Sequence, residues 1–327
     1  MSIRNHVTPD SEDYDSKKQS YIDSFGRRID NLRISVTQKC SFSCFFCHQE
    51  GEVNAEDEIT AAEIERIVKH ASRYGIDNVK LTGGEPLLRE DILDIIRLVS
   101  PYVSDLSMTT NGLLLEEMAS DLKEAGLTRV NVSIHTMDPK TYQMMTGSGD
   151  LERVKRGVRQ AVAVGLSPIK LNMTILRGYN EGSIEGLMDF ASEVGAVLQI
   201  IELQLIVDDD STNLENLWVD LGPLEESLRE RAVKTERRSM QSRYQYTIDL
   251  DSQRSVVVEI VRPNHNSAFC DGCTRLRVTS DGRLKPCLYR LDNVVERSSE
   301  GELTIEQAFE QAIAKREPYW RDKADGD

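Results

Sequence analysis

The residues of this 327-residue chain that are best suited to chemistry are its six cysteines, which form two groups of three. They are Cys40, Cys44 and Cys47, spaced C-x3-C-x2-C, and Cys270, Cys273 and Cys287, spaced C-x2-C-x13-C. Closely spaced thiols in a reducing compartment favour metal or cluster ligation over disulfides. Three thiolates can bind three irons of a four-iron cluster and leave the fourth iron open to a substrate.

A zinc site is the alternative interpretation of either triplet, since three thiolates also suit zinc. His48 would be the fourth ligand of the first site, and His265 that of the second. Within the second triplet, Arg275 and Arg277 alternate, so on a strand both side chains lie on one face. Two guanidiniums beside a cluster would suit a phosphate-bearing ligand, although an ordinary surface pair has the same spacing.

A pair of glycines, Gly83 and Gly84, follows a predicted strand in the run Leu-Thr-Gly-Gly-Glu-Pro. Glycines at this point allow a ligand to approach the backbone closely. Glu85 and nearby backbone groups could then hold an ammonium group. The same run is also compatible with a plain turn.

The elements that must position these residues are short β-branched runs that alternate with amphipathic stretches. The predicted strands are Leu32–Val36, Asn78–Thr82, Asp105–Thr109, Arg129–His135, Ile169–Ile175 and Val197–Leu203. The predicted helices between them are Ala61–Arg73, Asp91–Val99, Leu115–Ala125, Leu151–Val164 and Ile184–Val194. Six such units predict a parallel α/β sheet that closes only partly, because a full barrel needs eight strands. Chemistry is then expected at the C-terminal ends of the strands.

Three regions follow from this pattern. Residues 1–25 are polar and acidic and are predicted to be a mobile arm, and residues 26–206 form the partial (β/α)6 barrel. Residues 207–327 form a C-terminal extension that carries the second triplet and closes the barrel. Its linker is predicted at 207–220, its helices near 224–232 and 305–315, and its strands at 244–250 and 256–261.

The composition limits the partners. The formal charge is −15 and the pI about 4.9, which argues against binding a nucleic acid polymer or an anionic membrane by charge. No apolar run is long enough for a membrane span, and no secretory signal is evident, so we expect a cytoplasmic protein. The excess of acid, with 13 lysines against 27 arginines, would suit a salt-rich cytoplasm.

The first triplet and the Gly-Gly-Glu-Pro run together resemble the radical S-adenosylmethionine (AdoMet) superfamily. The stretch from Phe269 to Tyr289, with Arg-Leu-Arg between its cysteines, is similar to the C-terminal signature of the molybdenum cofactor biosynthesis protein A family, the GTP 3',8-cyclases. The runs Leu-Arg-Ile-Ser-Val-Thr-Gln-Lys-Cys40, Thr-Thr-Asn-Gly112, Asn-Val-Ser133 and Lys-Leu-Asn172 are similar to the same family. The resemblance covers residues 26–290.

This resemblance implies a partial TIM-like barrel with two four-iron, four-sulfur clusters and AdoMet. The first cluster would reduce AdoMet and release a 5′-deoxyadenosyl radical, which abstracts the ribose 3′ hydrogen of GTP. The sugar radical would attack C8 of the purine and give (8S)-3',8-cyclo-7,8-dihydroguanosine 5'-triphosphate. This is the first step of molybdenum cofactor biosynthesis.

The family's roles carry over to matching positions of this chain. The two triplets would bind the two clusters, and the open iron of the second would bind the guanine base. The residues implied to contact AdoMet are Phe46, Gly84 and Ser133, with Gln204 at a further such position. The residues implied to contact GTP are Arg33, Lys80, Thr109, Lys170, Arg275, Leu276 and Arg277. Arg33, Arg275 and Lys170 would mainly position the triphosphate.

The chain departs from the family at several positions. Lys80 stands where many members have Arg, which keeps the charge but loses the bidentate fork. Gln199 and Gln204 stand where Arg and Met are usual, and His135 stands where Asp is frequent. The chain also ends in Lys-Ala-Asp-Gly-Asp, without the paired terminal glycines of many members.

Two other functions stay open at this point. One is a peptide-modifying radical AdoMet enzyme with an auxiliary cluster, although those usually have more cysteines in the C-terminal region. The other is a zinc-stapled binding protein without activity. For the cyclase, the expected partners are an electron-donor protein and the downstream cyclic pyranopterin monophosphate synthase, and the expected state is a monomer or a homodimer.

Overall fold

The computed structural model describes residues 20–52, 57–147, 149–206, 214–238, 240–296 and 303–320. Strands and helices alternate through the first two thirds of the chain, as the sequence predicts. The strands are β1 (Asn31–Ser35), β2 (Asn78–Thr82), β3 (Asp105–Thr110), β4 (Arg129–Ser133), β5 (Lys170–Ile175) and β6 (Val197–Glu202). The helices are α1 (Ala61–Arg73), α2 (Ile92–Val99), α3 (Leu115–Ala125), α4 (Pro139–Thr146), α5 (Leu151–Ala163) and α6 (Ile184–Val194).

The extension adds three helices and five strands to this unit. Its elements are α7 (Gly222–Arg231), β7 (Lys234–Arg237), β8 (Tyr244–Asp249), β9 (Ser255–Val261), α8 (Ser267–Asp271), β10 (Arg275–Val278), β11 (Leu284–Lys285) and α9 (Ile305–Ala314). All eleven strands form one sheet in the order β11-β10-β1-β2-β3-β4-β5-β6-β9-β8-β7. The six predicted strands are parallel neighbours, which agrees with the partial-barrel fold.

The extension lengthens the barrel at both edges. Strand β10 pairs in parallel with β1, and β9 pairs in parallel with β6. The two edges then meet through loops, because the turn before β8 bonds to the end of α8: the amide of Gln241 donates to the carbonyl of Gly272 at 2.7 Å. The extension therefore closes the space above the sheet by these contacts.

Side chains alternate between the two faces of each strand, and this alternation creates the site. On β1, Leu32 and Ile34 are fully buried in the core, whereas Arg33 between them lies on the other face. On β5, Leu171 and Met173 are buried in the same core. The helix-facing side of the sheet is therefore apolar and the concave side is polar.

Five elements escaped the sequence prediction, namely α4, β7, α8, β10 and β11, and the first two illustrate the reason. Helix α4 is capped by Asp138, which accepts a hydrogen bond from the amide of Thr141 at 2.7 Å, but its eight residues are too few to show a clear period. Strand β7 is exposed at every position and lies at the sheet edge, so it has no apolar alternation. In both cases tertiary contacts complete what the local pattern does not specify.

Most of the predicted N-terminal arm, residues 1–19, lies outside the described residues. Within its last part, Tyr21 is buried and stacks on Tyr74 with ring centroids 4.1 Å apart. Of the predicted linker, 207–213 also lies outside the described residues, and Leu214–Leu217 form a short 3-10 turn. Among the helices that the structure describes, none has both the length and the apolar character needed to cross a membrane.

Candidate active site

A cavity of about 330 Å³ lies on the polar face of the sheet, at the C-terminal ends of the parallel strands. Of the seventeen residues expected to bind a cluster, AdoMet or GTP, sixteen line it. They are Arg33, Cys40, Cys44, Phe46, Cys47, Lys80, Gly84, Thr109, Ser133, Lys170, Gln204, Cys270, Cys273, Arg275, Arg277 and Cys287. Residues from both ends of the chain thus share one chamber.

Leu276 is the seventeenth, and its side chain does not line the cavity. It is fully buried in the hydrophobic core, between Arg275 and Arg277, which both face the cavity. The reason is the alternation of side chains along β10. A contact between Leu276 and GTP, which stays a prediction, would therefore involve its backbone.

The first triplet lies on the loop after β1, and the glycine pair after β2 holds that loop in place. The amide of Gly84 donates to the carbonyl of Thr37 at 2.7 Å. A Cβ on Gly84 would stand 2.3 Å from the carbonyl oxygen of Lys39, which no side chain tolerates. The glycines are thus needed for packing against the cysteine loop, and Gly84 also lines the cavity.

The thiols of the first triplet are close enough to influence one another. Burial, together with the charges of Cys47 and Cys40, raises the pKa of Cys44 to about 12. All three cysteines are free, and Cys40 and Cys47 are exposed. Three free thiols on one loop at a cavity mouth fit a four-iron cluster that has one open iron. Cluster binding there must release the thiol protons.

Glu85 does not line the cavity, so the ammonium-binding role considered from the sequence is not what the structure shows. Its fully buried carboxylate accepts hydrogen bonds from the amides of Leu87 and Asn111 and from the Thr110 hydroxyl, at 2.6–3.0 Å. Burial raises its pKa to about 7. Glu85 therefore positions the turn that carries Asn111, which does line the cavity.

The second triplet has different surroundings. Burial would raise the pKa of Cys273, but the guanidiniums of Arg316, Arg275 and Arg27 bring it below its ordinary value. The backbone amide of Trp320 donates to Sγ of Cys270 at 3.4 Å, so the segment after α9 holds this site. The three thiols again influence one another's pKa. This donor set also fits a cluster with one open iron.

Neither zinc site considered from the sequence is assembled in the described residues. Nδ1 of His48 accepts a hydrogen bond from the amide of Glu50 at 3.0 Å, which stabilises a turn. The His265 ring lies against Trp320, with centroids 4.1 Å apart. In the part of the chain that the structure describes, no three His, Cys, Asp or Glu side chains converge on a single-ion site.

Beside the first triplet, part of the cavity wall is apolar. Phe46 and Leu203 line the cavity and belong to a buried cluster with Met145 and Leu176, which we call the apolar end. The ring of His135 meets Phe46 edge-on, with centroids 5.0 Å apart, and burial lowers the pKa of His135 to about 4. The apolar end therefore carries no charge at neutral pH.

Polar atoms at this end are left for a ligand. His135 Nδ1 accepts from the amide of Thr174 at 3.2 Å, so the neutral ring carries its proton on Nε2. Asn172 Oδ1 and Gln204 Oε1 are buried without a hydrogen-bond partner, and both residues line the cavity. Such orphaned acceptors beside an aromatic ring fit the amino and hydroxyl groups of AdoMet.

On the other side, seven cationic side chains line the cavity. We call them the basic wall: Arg33, Lys80, Arg129, Lys170, Arg243, Arg275 and Arg277. Strand register places several of them side by side, because Arg33 pairs with Lys80 on β2 and with Arg277 on β10. With Arg27 and Arg316, nine cations line the cavity against three carboxylates, so the chamber is positive although the chain is acidic.

Two buried carboxylates, Glu50 at the cavity and Glu259 behind it, organise the basic wall. Glu50 binds Arg33 at 2.5 Å and Arg277 at 2.7 Å. Glu259 binds Lys170 at 2.7 Å and Arg243 at 2.6 Å. Burial alone would raise the pKa of Glu259, but these two cations lower it to about 2. Each carboxylate faces two cations, so one positive charge remains at each for a ligand.

Lys80 has no anionic partner among the described residues. It is 9% exposed, and burial together with Arg129, Arg33 and Arg275 lowers its pKa well below the ordinary value. A buried, uncompensated lysine is costly unless a ligand supplies the missing charge. The position therefore favours a polyanionic ligand.

Sequence reasoning missed part of this site. Asn131 and Asn172 lie in the motifs compared with the family, and strand alternation could have assigned both to the cavity. Arg129 has a weaker signal, since it begins a predicted strand. Glu50, Glu259 and Arg243 had none, because their roles depend on partners far along the chain.

Comparison with known proteins agrees with this geometry. The family described as "Radical SAM superfamily" matches residues 34–191, and "Molybdenum Cofactor Synthesis C" matches residues 196–321. A "Probable GTP 3',8-cyclase" of Thermococcus kodakarensis is 48% identical over 306 residues, covering 91% of this chain and 99% of the relative. One of the same name from Pyrococcus horikoshii is 47% identical, with 91% and 98% covered.

Solved structures support the fold alone, since their sequence identities are low. Streptococcus suis SuiB bound to S-adenosylmethionine has a TM-score of 0.61 at 18% identity, and the match covers 81% of this chain but only 61% of SuiB. The structure of anSMEcpe with bound AdoMet has a TM-score of 0.57 at 16% identity, with 86% and 79% covered.

The two family matches and the relatives at 47% and 48% identity show which family this is. The chain belongs to the radical AdoMet superfamily and, within it, to the molybdenum cofactor biosynthesis protein A family, the GTP 3',8-cyclases.

Proposed function

We propose that this protein is a GTP 3',8-cyclase that converts GTP to (8S)-3',8-cyclo-7,8-dihydroguanosine 5'-triphosphate. The observation that carries the proposal is one cavity that both cysteine triplets and the basic wall line together. A nucleoside triphosphate needs this combination of a cationic surface for its phosphates and an uncharged region for the reacting partner. The names of the relatives support the same substrate.

In this proposal, the triplets at Cys40 and Cys270 hold two four-iron clusters, and AdoMet lies at the apolar end. When bound, the first cluster and AdoMet supply the hydrogen-abstracting radical. Phe46 would pack against AdoMet, Gly84 and Ser133 would contact it, and Gln204 Oε1 would accept a hydrogen bond from it. The apolar cluster excludes water from the reactive region.

The basic wall would hold the substrate. Arg33 and Arg277 face the cavity from neighbouring strands, and Glu50 fixes the orientation of both guanidiniums. Lys80 would supply the charge whose partner the protein lacks, and Thr109 would contact GTP from β3. Holding the triphosphate at several points restricts the ribose to one orientation, so the 3′ hydrogen can face the apolar end.

The second triplet would place the purine, with the open iron of its cluster on the guanine base. Three residues of the chain keep this site in position. Arg316 donates to the carbonyl of Arg275 at 3.2 Å and to Asp23 at 2.5 Å, and Asp23 also binds Arg27. A fixed base and a fixed triphosphate together leave C8 close to C3′ for ring closure.

The test is anaerobic reconstitution with iron and sulfide, followed by incubation with GTP, AdoMet and dithionite. The expected products are 5′-deoxyadenosine and the cyclised nucleotide, with about eight irons per chain, and ATP should give no cyclised product. A protein with zinc instead of iron, or one that forms 5′-deoxyadenosine without consuming GTP, would contradict the proposal.

A peptide-modifying enzyme is the other candidate, because SuiB, which shares the fold, has a solved structure bound to the precursor peptide SuiA. The basic wall disfavours it, since a peptide does not require seven cations at the reacting centre. We further propose that the enzyme works in the cytoplasm as a monomer or homodimer, receives electrons from a donor protein, and passes its product to cyclic pyranopterin monophosphate synthase. Pull-down under anaerobic conditions tests the last two partners directly.

A further inference from the structure

Arg243 is a cavity residue that neither a motif nor a family role assigns. It lies in the extension immediately before β8, and its side chain is 12% exposed. Nη1 binds Glu259 at 2.6 Å, and Nε donates to the carbonyl of Met240 at 3.3 Å. A guanidinium has five donors in a planar fork, so these contacts leave donors for a ligand in the cavity.

The carboxylate that holds Arg243 also holds Lys170. Glu259 is fully buried and accepts further hydrogen bonds from Gln199 at 3.0 Å and from Gln245 at 2.9 Å. Four donors therefore surround one carboxylate, and two of them are cations. This arrangement fixes Arg243 beside Lys170 and leaves one positive charge uncompensated.

Arg243 also connects the two edges of the basic wall. Lys170 is on β5, in the middle of the sheet, whereas Arg275 is on β10, next to the edge strand β11. Met240 links Arg243 to Arg275: its carbonyl accepts from Arg243, and its sulfur is 3.6 Å from Nη2 of Arg275. Arg243 thus occupies the position at which the sheet edges approach each other and the cationic surface would otherwise be interrupted.

We infer that Arg243 is a binding residue for the triphosphate of GTP, positioned by Glu259 next to Lys170. This inference rests on the proposed function and adds a residue from the extension to the substrate site. Its neighbour Gln199, which lies on the same carboxylate, is uncharged. The guanidinium at this corner of the cavity is therefore supplied by the extension, from the residue that precedes β8, rather than by β6.

The experiment measures binding of GTP, GDP, GMP and guanosine to the reconstituted enzyme by anaerobic calorimetry, without AdoMet or reductant. The variants are Arg243→Gln and Arg243→Lys. The control is Arg238→Gln, which removes an exposed arginine close to Arg243 in the chain. Iron content and thermal unfolding verify that each variant is loaded and folded.

For Arg243→Gln we expect GTP affinity to fall about 10- to 100-fold, the range for one charge-assisted hydrogen bond, while guanosine affinity changes less than about twofold. Arg243→Lys keeps a charge beside Glu259 but loses the fork, so its GTP affinity should fall by an intermediate amount. Arg238→Gln should resemble the wild type. If Arg243→Gln does not fold, the test rests on Arg243→Lys. A GTP affinity equal to that of the wild type in the folded variant overturns the inference.

Arg243 also holds the 240–242 turn, so a purely structural role predicts a different result. In that case Arg243→Gln would weaken guanosine and GTP binding by the same factor. That result overturns the inference while the proposed function stands. A wild-type enzyme that binds none of the guanine nucleotides would instead contradict the proposed function itself.

Discussion

The two cysteine triplets have the same number of thiols but opposite surroundings. Around the first, the wall is apolar, His135 is neutral, and the pKa of Cys44 is raised. Around the second, three arginines lower the pKa of Cys273 despite its burial. The same ligand set can therefore serve different partners, because the neighbouring side chains decide which charge the site accepts. The uncharged end suits a cofactor, and the basic end suits a polyanionic substrate.

Loss of a thiol from the first triplet should abolish AdoMet cleavage, whereas loss of a thiol from the second should abolish only nucleotide cyclisation. Cys44→Ser should reduce AdoMet cleavage by at least about 100-fold, because the reacting centre is no longer assembled. Cys273→Ser should keep AdoMet cleavage within a few-fold but form no cyclised nucleotide. Chromatography of 5′-deoxyadenosine and nucleotide products, with an iron count, measures both. Equal loss of AdoMet cleavage in the two variants would break the comparison.

The basic end should depend strongly on its buried carboxylates. Glu259→Gln leaves Lys170 and Arg243 without a counter-charge and should lower the free energy of unfolding by about 3–5 kcal/mol. The matched control is Glu236→Gln on exposed β7, where a surface pair with Lys234 should contribute no more than about 1 kcal/mol. Urea unfolding gives both values. Similar stabilities for the two variants would show that the wall does not need Glu259.

The neutral His135 at the apolar end should make the stability of the protein depend on pH below neutrality. The folded pKa of His135, about 4, is below its unfolded value of 6.5, so the unfolded state binds more protons between these pH values. Stability should therefore fall as the pH decreases through this window, by up to about 3 kcal/mol from this group. Glu85 has a folded pKa of about 7, above its ordinary value, so its protonation stabilises the folded state as the pH decreases and partly offsets this loss of stability.

His135→Asn isolates the histidine contribution, since the Asn oxygen can still accept from the amide of Thr174. Its stability between pH 6.5 and 4 should decline less than that of the wild type. His265→Asn is the control, because His265 is exposed. Parallel stability curves for His135→Asn and the wild type would mean that the apolar end admits a charge.

Substitution of Lys80 tests whether a cation of the basic wall contributes to ligand binding or to the stability of the fold. Lys80→Met should weaken GTP binding by about 10- to 100-fold through loss of one charge-assisted contact. It should also raise the melting temperature of the ligand-free protein, because an unpaired buried cation is removed. AdoMet binding should stay unchanged. A destabilised Lys80→Met protein would assign Lys80 a structural role.

Salt should weaken GTP binding at the basic wall more than AdoMet binding at the apolar end, with a smaller effect than the substitutions above. Raising ionic strength from about 0.05 M to about 0.5 M should weaken GTP binding several-fold, because ions screen the attraction to the wall. AdoMet affinity at the apolar end should change less than about twofold. Titrating both ligands at each salt concentration gives the comparison. Activity that survives molar salt would also support the salt-rich cytoplasm inferred from the acidic composition.

Much of the fold was predictable because its signals are local. The bounds of α1, β2, α3 and α6 agree with the sequence prediction, since each has a clear apolar period. Helix α4 and strand β7 were not predicted, because one is short and the other is a polar edge strand. The parallel addition of β9 and β10 at opposite edges was also not predictable, because pairing between distant strands depends on the whole sheet.

The candidate site divides in the same way. The two triplets, the glycine pair and the alternation of Arg275 with Arg277 were predictable, because these features depend on residue type and short spacing. The pairing of Glu50 with Arg277, 227 positions away, and the binding of Arg243 and Lys170 to the same Glu259 carboxylate are evident only in the folded chain. Charge compensation inside a cavity is a property of distant residues brought together, so no local pattern encodes it.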